Sequence, residues 1–384
     1  MDADAPRKPR FYEFFAGGGL VRAALRGSWE CLFANDFDRK KAKTYHRNWG
    51  DDELIVGDVR DIALTDLPAA ADLAWASFPC QDLSLAGGGA GLAGERSGTF
   101  WPFWKLMQGL GNEQRAPRVI ILENVCGTLT SHGGKDFAAI AAALAKEGYR
   151  TGALVMDAEL FVPHSRPRLF VVGVRDELDL PDGVLTEEPN PLWHTASVRR
   201  AAERVASDRW IWWNPPKPRR RRNAFLDLVE DDPESVSWQT AAETKKLIGM
   251  MSDLNREKLR QAQQSGERQV GTIYKRTRRD SSGRKVQRAE ARFDGVAGCL
   301  RTPAGGSSRQ LVIVVEGKTV RSRLISSRET ARLMGLKDSY ALPDNYNEAY
   351  HLTGDGVVVP VVRHLVTKIV EPILAHQHAE VLAL

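Results

Sequence analysis

Short apolar runs recur along the first 180 residues and alternate with segments of helical periodicity. Segments 20–27 and 137–148 have apolar residues at helical spacing. Continuous apolar strands with intervening helices predict an α/β fold with a doubly wound, mainly parallel sheet. In such a sheet, ligands bind at the carboxyl ends of the strands. The predicted strands are 10–15, 31–37, 54–59, 73–78, 119–125, 152–158 and 168–174.

The pattern changes near residue 180. Residues 180–191 combine prolines with turn formers and predict a linker, and periodicity stays weak from there to about residue 300. Order returns in 326–336, which starts with serine followed closely by glutamate and so predicts a capped helix. Residues 356–374 predict a further helix that docks on the core.

Charge is spread unevenly over the chain. The net formal charge is +5, but residues 186–300 contain 23 Lys and Arg against 16 Asp and Glu. This surplus suggests a polyanionic partner for the middle third, although a solvated charged face fits the composition equally well. No apolar stretch approaches the ~20 residues of a membrane span, and residues 1–10 have no apolar signal core. We therefore expect a cytoplasmic protein.

The four cysteines Cys31, Cys80, Cys126 and Cys299 are far apart and have no partner at metal-ligand spacing. Their positions favour neither a zinc site nor, in a cytoplasmic chain, a disulfide framework. Each is therefore either a small core residue or a reactive thiol.

A run of glycines follows the first predicted strand, within residues 14–20. Glycines there let the backbone approach a ligand closely, and Asp36 and Asp58 lie at the ends of the next two strands. This arrangement suits a nucleoside, but the spacing is not that of the dinucleotide fingerprint. A tight strand-to-helix turn with no ligand would also explain the glycines.

Three further motifs fall at predicted strand ends. Pro79-Cys80-Gln81 follows the fourth strand and precedes the glycine-rich segment 83–98, which suggests a lid; Glu123-Asn124-Val125 ends the fifth strand. Arg166 and Arg168 stand at the entry to a later strand, where alternate residues share a face, so both could point into one site. Taken singly, each motif also has an ordinary structural interpretation.

The order of these motifs resembles that of the DNA cytosine-5 methyltransferases. The glycine turn, Pro-Cys-Gln, Glu-Asn-Val and the paired arginines occur in family order, and segments 328–336 and 354–361 are similar to the family's late motifs. The last of these commonly has Asn where this chain has Asp355, which adds negative charge near the cofactor pocket.

The resemblance implies transfer of a methyl group to C5 of cytosine in a specific duplex site. Cys80 would add to C6 of a flipped cytosine, and Glu123 would hold its N3/N4 edge. Arg168 would contact O2, with Arg166 supporting it or a phosphate. The implied cofactor is S-adenosylmethionine, with S-adenosylhomocysteine as product and no metal. Its implied contacts are Phe15, Ala16, Gly17, Gly19, Asp36, Phe37, Asp58, Val59, Pro79, Asp355 and Val357.

The resemblance also implies three segments: residues 1–185 for catalysis and cofactor binding, 186–323 for target recognition, and 324–384 returning to the catalytic domain. The expected partner is double-stranded DNA, bound by a monomer in the bacterial cytoplasm or nucleoid, as a restriction-modification or orphan methylase. A cognate endonuclease would be a further partner. The candidate DNA contacts are Gln81, Ser84, Arg96, Arg219, Arg220, Arg221, Arg222, Lys275, Arg276, Arg278 and Arg279.

Three other functions compete with this interpretation. An RNA (tRNA) cytosine-5 methyltransferase would share the scaffold, but the long basic insertion favours DNA. A non-catalytic DNA-binding subunit would have no need of Cys80 beside Glu123. A small-molecule methyltransferase would explain the glycine turn but not Pro79-Cys80-Gln81 or the basic region.

Overall fold

The computed structural model describes residues 7–79, 97–280, 282–302 and 308–383. Its contacts divide the chain into two compact units. Unit 1 comprises Met1–Met156, Pro167–Pro218 and Val359–Leu384, and unit 2 comprises Asp157–Arg166 and Arg219–Val358. The division expected from sequence places 186–323 together, whereas contacts in the structure divide the chain after Pro218 and group 324–358 with unit 2.

Unit 1 is built on a seven-stranded sheet in the described part of the chain, with strand order β3-β2-β1-β4-β5-β7-β6. The pairings of β1 with β2 and β4, of β2 with β3 and of β4 with β5 are parallel, and β7 is antiparallel to β5. The predicted mainly parallel α/β sheet is therefore confirmed. The strands are β1 (Arg10–Phe14), β2 (Glu30–Asp36), β3 (Leu54–Val56), β4 (Leu73–Ala76), β5 (Val119–Asn124), β6 (Tyr149–Asp157) and β7 (Pro167–Arg175).

Helices cover this sheet and bury its apolar strands. Every residue of β4 and of β5 is buried, as expected for central strands with both faces covered. In the third helix Phe100, Phe103 and Trp104 pack into the core cluster, which also includes Phe14 of β1. The helices are α1 (Leu20–Leu25), α2 (Arg39–Trp49), α3 (Phe100–Asn112), α4 (Lys135–Lys146) and α5 (Ala196–Ala202).

Four tryptophans of the middle third pack on unit 1 and not in the core of a separate recognition domain. The Trp213 indole donates a hydrogen bond to Val172 O at 3.2 Å, and Val155 N donates to Trp193 O at 2.9 Å. Trp210 and Trp212 pack against the unit 1 core. Sequence alone assigns the tryptophans of residues 186–300 to the core of a small domain. For these four that prediction is wrong, because the two-stranded sheet of β8 (Leu185–Thr186) and β9 (Trp212–Trp213) belongs to unit 1 and Trp210 forms a β-bridge with Thr151 of β6.

Unit 2 contains a four-stranded sheet with order β11-β10-β12-β13. Two helices cover it, although the sequence pattern there is weakly periodic: Leu247, Met251 and Leu259 pack with Ile273 and Ile313 in one cluster. The elements are α6 (Ala241–Gly249), α7 (Asp253–Gln264), β10 (Gln269–Arg279), β11 (Lys285–Arg292), β12 (Leu311–Glu316) and β13 (Thr319–Leu324).

The late helices agree with the sequence pattern. Helix α8 (Ser327–Leu333) begins after Ser326, whose side chain and that of Glu329 form the predicted capping box. In unit 2, α9 (Tyr346–Asp355) follows α8; in unit 1, α10 (Val359–Leu365) continues through a π-helical turn (Val366–Val370) into α11 (Glu371–Ala383), confirming the predicted docked helix. Across the described ranges, no helix is both long and apolar enough to span a membrane.

Candidate active site

The glycine turn lies at the carboxyl end of β1, in the centre of the sheet. Gly17 and Gly19 have φ of +57° and +75°, a conformation that favours glycine, and Phe15 shares it at +59°. A Cβ on Gly19 would stand 2.4 Å from Trp49 Nε1, so the turn is packed tightly against α2. Ala16 N fixes the turn to β2 by donating to Asn35 O at 2.9 Å.

Asp36 ends β2 and binds this turn directly. Gly17 N donates to Asp36 Oδ2 at 2.7 Å, and Asp38 N donates to Asp36 Oδ1 at 2.8 Å. Burial raises the pKa of Asp36 above its ordinary value. Each carboxylate oxygen keeps a further lone pair with which to accept a hydrogen bond from a ligand hydroxyl. The next residue, Phe37, has an apolar ring that is 70% exposed.

Asp58 and Val59 lie just beyond β3, at the same edge of the sheet. Asp58 accepts a hydrogen bond from Arg60 N at 2.9 Å and forms an ion pair with the Arg60 guanidinium at 3.1 Å, while Val59 is buried. Asn35 holds this segment beside β2, because its amide donates to Ile55 O and Gly57 O, each at 3.0 Å. The structure thus brings the turn, Asp36, Phe37 and Asp58 to the carboxyl ends of three adjacent strands.

The next two strands bring Pro79 and Glu123 to the same edge. Strands β4 and β5 run parallel, with Ala76 opposite Leu122, so the chain leaves β4 toward Pro79 on the side where Glu123 lies. Asn124 joins the two segments by donating to Phe78 O at 3.2 Å. Cys80, the predicted nucleophile that follows Pro79, lies outside the described residues, as do Gln81, Ser84 and Arg96.

Glu123 and Arg168 form an ion pair, with Arg168 Nε 3.2 Å from Glu123 Oε1. Glu123 stands opposite Phe170 in the antiparallel pairing of β5 with β7, and Arg168 is on the same face two residues away. Their side chains are only 9% and 18% exposed. Among the predicted catalytic residues, these two are in contact within unit 1. Together they offer carboxylate oxygens and guanidinium N–H groups at one point of the sheet edge.

Arg166 has its recorded contacts in unit 2. The residue is 2% exposed, and its guanidinium donates to Leu300 O at 3.2 Å and to Gly354 O and Gly356 O at 2.8 Å each. These last two carbonyls flank Asp355, so Arg166 holds the segment of the predicted cofactor contacts Asp355, which is exposed, and Val357, which is buried. Sequence alternation suggests one shared site for both guanidinium groups, and this stays a prediction: Arg168 contacts Glu123 in unit 1, and the three carbonyls that accept from Arg166 belong to unit 2.

Among the described residues, the basic ones predicted to bind DNA lie in unit 2 at two places. Arg219, Arg220 and Arg222 are exposed, whereas Arg221 is half-buried and donates to Glu159 O at 3.1 Å. Lys275, Arg276, Arg278 and Arg279 all lie in β10.

Sequence analysis assigned no role to three residues that support the site. Asn35 and Asn124 tie neighbouring strand ends together, as described above. Glu13 in the centre of β1 is buried and accepts a hydrogen bond from Val21 N at 3.2 Å. Burial raises the pKa of Glu13 to about 8. Its one available signal was a carboxylate inside an otherwise apolar strand.

Within the described ranges, no three His, Cys, Asp or Glu side chains stand close enough together to hold a metal ion. The residues at the sheet edge do fit a nucleoside cofactor. The exposed Phe37 ring can stack on a base, Asp36 can accept from a ribose, and the glycine turn leaves room for close approach.

Comparisons with known proteins agree with this geometry. A family model described as C-5 cytosine-specific DNA methylase matches residues 9–371. The Type II methyltransferase M.HhaI of Haemophilus parahaemolyticus is 24% identical over 359 residues, which cover 93% of this chain and 92% of the relative. M.BsuFI of Bacillus subtilis, also a Type II methyltransferase, is 25% identical over 362 residues, which cover 93% of this chain and 71% of the relative.

Solved structures show the same fold. The Entamoeba histolytica methyltransferase EhMeth has a TM-score of 0.62 at 14% identity and covers 97% of this chain and 99% of its own. The Dnmt2 methyltransferase of S. pombe has a TM-score of 0.59 at 16% identity, with coverage of 96% and 99%.

Proposed function

The chain belongs to the C-5 cytosine-specific DNA methylase family, and we propose that it methylates C5 of a flipped cytosine within a specific duplex sequence through an adduct with Cys80. The family assigns it the activity of a DNA cytosine-5 methyltransferase, with S-adenosylmethionine as cofactor and DNA as substrate. The single observation that carries the finer proposal is the Glu123–Arg168 ion pair at the end of the sheet toward which β4 leads the chain to Pro79, the residue before Cys80 in the sequence.

The chemistry follows from what cytosine requires. Its C5 is too weak a nucleophile to take a methyl group unaided. In the proposed mechanism, the Cys80 thiolate forms a bond to C6 and makes C5 enamine-like. Glu123 holds the N3/N4 edge and favours a proton on N3, while Arg168 donates to O2. When the C5 proton is later removed, the Cys80–C6 bond breaks and the C5–C6 double bond returns. Since C6 is out of reach inside a stacked duplex, the base must first be flipped out.

The cofactor would be held at the glycine turn. S-adenosylmethionine, when bound, supplies the methyl group. Gly17 and Gly19 would let the backbone approach it, Asp36 would accept from its ribose, and Phe15 would stack on its adenine, with the exposed Phe37 ring as a second stacking surface. We extend the same assignment to the other predicted contacts, with Asp58 at the adenine amino group. The remaining members are Ala16, Val59, Pro79, Asp355 and Val357.

The other cysteines within the described residues are assigned structural roles. Burial raises the pKa of the Cys31 thiol to about 12, so this side chain stays a thiol at neutral pH. We also propose that the chain acts as a monomer in the cytoplasm, as the methylase of a restriction-modification system or as an orphan enzyme. The names of its Type II relatives support that setting. An endonuclease of the same specificity would then be its partner.

Bisulfite sequencing of a plasmid from a methylation-free host tests activity and target together. We expect methylation at one short sequence with the wild type and none with Cys80→Ala, and methylation of RNA but not of the plasmid would overturn the proposal. Duplexes containing 5-fluorocytosine should trap the wild type covalently, because fluorine cannot leave as the proton does. Mapping the adduct to Cys31, Cys126 or Cys299 would remove Cys80 from its role.

A further inference from the structure

The outer half of the β10–β11 hairpin is a two-stranded ribbon. Strand β10 pairs with β12 only from Gln269 to Ile273, whereas its pairing with β11 runs from Thr272 to Arg279. Residues 274–279 and 285–290 therefore extend past the four-stranded sheet. The base is anchored in the unit 2 core by Ile273 and Ala289, which are both buried completely. The ribbon thus projects from a fixed support.

Side-chain alternation divides the ribbon into two faces of different character. We call one of them the ribbon face. It has two cross-strand pairs, Thr277 with Gln287 and Arg279 with Lys285, and Lys275 stands opposite Ala289. No acidic residue occupies the ribbon face within the described residues of these strands. Its members are Lys275, Thr277, Arg279, Lys285 and Gln287.

The opposite face has three arginines and one carboxylate, Glu290, which two of the arginines share. Arg276 lies 3.3 Å and Arg278 2.5 Å from the carboxylate of Glu290. Arg276 also stands over the ring of Tyr274, with its guanidinium carbon 5.6 Å from the ring centroid. Arg288 is the remaining cation of that face, directly opposite Arg276. Arg276 and Arg278 have partners within the protein, so the two faces are not equivalent toward a polyanion.

Positive charges on the ribbon face repel each other. Arg279 and Lys285 are exposed and directly opposite each other, and like charges in that position repel. Arg279 donates to the carbonyl of Gly283, which does not neutralise it. A row of phosphates would remove this repulsion.

The dimensions of the ribbon match one groove of a duplex. The DNA major groove, about 12 Å wide, admits a two-stranded ribbon, and the four steps from Lys275 to Arg279 span roughly 13 Å. Thr277 and Gln287 lie side by side at the centre of the face, with cations before and after them. A glutamine amide pairs with adenine through two hydrogen bonds, and threonine contacts a base edge or a thymine methyl group.

We propose that the ribbon face enters the major groove, where Thr277 and Gln287 read one base pair and Lys275, Arg279 and Lys285 bind the flanking phosphates. This inference rests on the proposed function, which makes duplex DNA the substrate. It separates the four cations predicted from sequence: Lys275 and Arg279 contact DNA, whereas Arg276 and Arg278 face the other way. It also adds Lys285.

Two readouts test the ribbon face, one of methylation and one of binding. For the first, the site found by bisulfite sequencing is varied one base pair at a time. Thr277→Ala and Gln287→Ala should reduce discrimination at one position by about 10-fold to 100-fold and keep it elsewhere. Both residues are exposed, so the fold should persist. Gln287→Glu provides a second variant, which should shift the preferred base toward cytosine because a carboxylate can only accept.

The second readout is the salt dependence of binding to the cognate duplex. Lys275→Gln and Lys285→Gln should each make the slope of log affinity against log salt shallower by about 0.9, without changing the preferred site. Arg278→Gln removes an equal charge from the opposite face and should change the slope much less. Unchanged discrimination in both alanine variants, or a larger effect of Arg278→Gln than of Lys285→Gln, would overturn the inference.

The two proposals fail in different ways. If the wild type methylates no cytosine, the proposed function fails, and selection from randomised duplexes still measures the binding preference of each ribbon variant. In that case, the inference about the ribbon face is wrong if Gln287→Ala selects the same consensus sequence as the wild type. It is supported if the consensus selected by Gln287→Ala no longer specifies one of the base pairs. If the wild type methylates a defined site while the variants behave like it, only the ribbon face is wrong.

Discussion

Arg168 Nε lies 3.2 Å from Glu123 Oε1. This contact joins the carboxyl end of β5 to the beginning of the antiparallel strand β7. Both side chains are mostly buried, so each limits the positions open to the other. A base held by Glu123 would therefore be oriented by Arg168 as well.

We expect Glu123→Gln to lower the rate of methyl transfer by about 100-fold or more, because an amide cannot take or hold a proton as a carboxylate does. Arg168→Ala should lower it too, partly by leaving Glu123 buried without this partner. The double variant should lose less than the product of the single effects, since the two side chains act together. Single-turnover rates measure all three. Strictly multiplicative effects would mean that the pair does not act as a unit.

Asp36, which we propose as the ribose contact, accepts hydrogen bonds from two backbone N–H groups, and this leads to a second prediction. In Asp36→Asn, an NH2 group must face either Gly17 N or Asp38 N, and one of these hydrogen bonds is lost. We expect affinity for S-adenosylhomocysteine to fall at least about 10-fold, equivalent to one hydrogen bond to a charged group, while DNA affinity stays near wild type. Calorimetry with each ligand measures this.

The matched control is Asp38→Asn. Asp38 caps α2 by accepting from Lys40 N at 2.8 Å, and asparagine caps a helix about as well as aspartate. It removes the same charge two residues away and should leave cofactor affinity nearly unchanged. Equal losses in the two variants would indicate a general effect of charge and argue against a specific role of Asp36.

The sequence predicts which polar residues come together at the site, because a parallel sheet brings the carboxyl ends of its strands to the same side. That rule predicts that the glycine turn, Asp36, Asp58 and Glu123 lie together at one end of the sheet. The partner of Arg166 could not be predicted in this way. Its acceptors, the carbonyls of Leu300, Gly354 and Gly356, are more than 130 positions away in the chain, and backbone carbonyls leave no trace in residue type.

The prediction for the tryptophans was wrong for a related reason. A cluster of aromatic residues indicates a core but not which one, and Trp193 and Trp213 are fully buried against the catalytic sheet. Glu13 shows the reverse case. A carboxylate in a central strand was visible in the sequence, but its buried environment follows from the helix and strands that surround it.

The pKa of Glu13 predicts how stability depends on pH. Burial raises that pKa from 4.5 to about 8. Below about pH 4.5 the carboxyl is protonated in both the folded and unfolded chain, so it has no effect on the pH dependence. From there to pH 8 the unfolded chain loses the proton that the folded chain keeps. Stability therefore falls with rising pH, by up to about 1.4 kcal/mol per pH unit.

Glu13→Gln removes this titration and should be progressively more stable than wild type as the pH rises from 5 to 8. Urea denaturation at four pH values measures the difference in the free energy of unfolding. Glu30→Gln, which removes an exposed carboxylate from β2, is the control and should show no such trend. A stability difference between Glu13→Gln and wild type that does not vary with pH would contradict burial of a protonated carboxyl.

Two glycines allow the cost of backbone strain to be measured separately from the cost of steric overlap. Gly19 and Gly27 both have positive φ, +75° and +88°, so alanine should cost about 1–2 kcal/mol at either position through backbone strain alone. At Gly27 no atom of the described residues lies within 4 Å of the added Cβ, whereas at Gly19 it would lie 2.4 Å from Trp49 Nε1 and 2.9 Å from the Tyr45 ring. Trp49 cannot move away freely, because its indole donates to Gly18 O at 2.9 Å.

We expect Gly19→Ala to cost roughly 1–3 kcal/mol more than Gly27→Ala in urea denaturation, the usual cost of overpacking. It should also weaken S-adenosylhomocysteine binding, which Gly27→Ala should leave intact. Equal destabilisation by the two variants would show that α2 yields to the added methyl group and that the turn is not held by its packing.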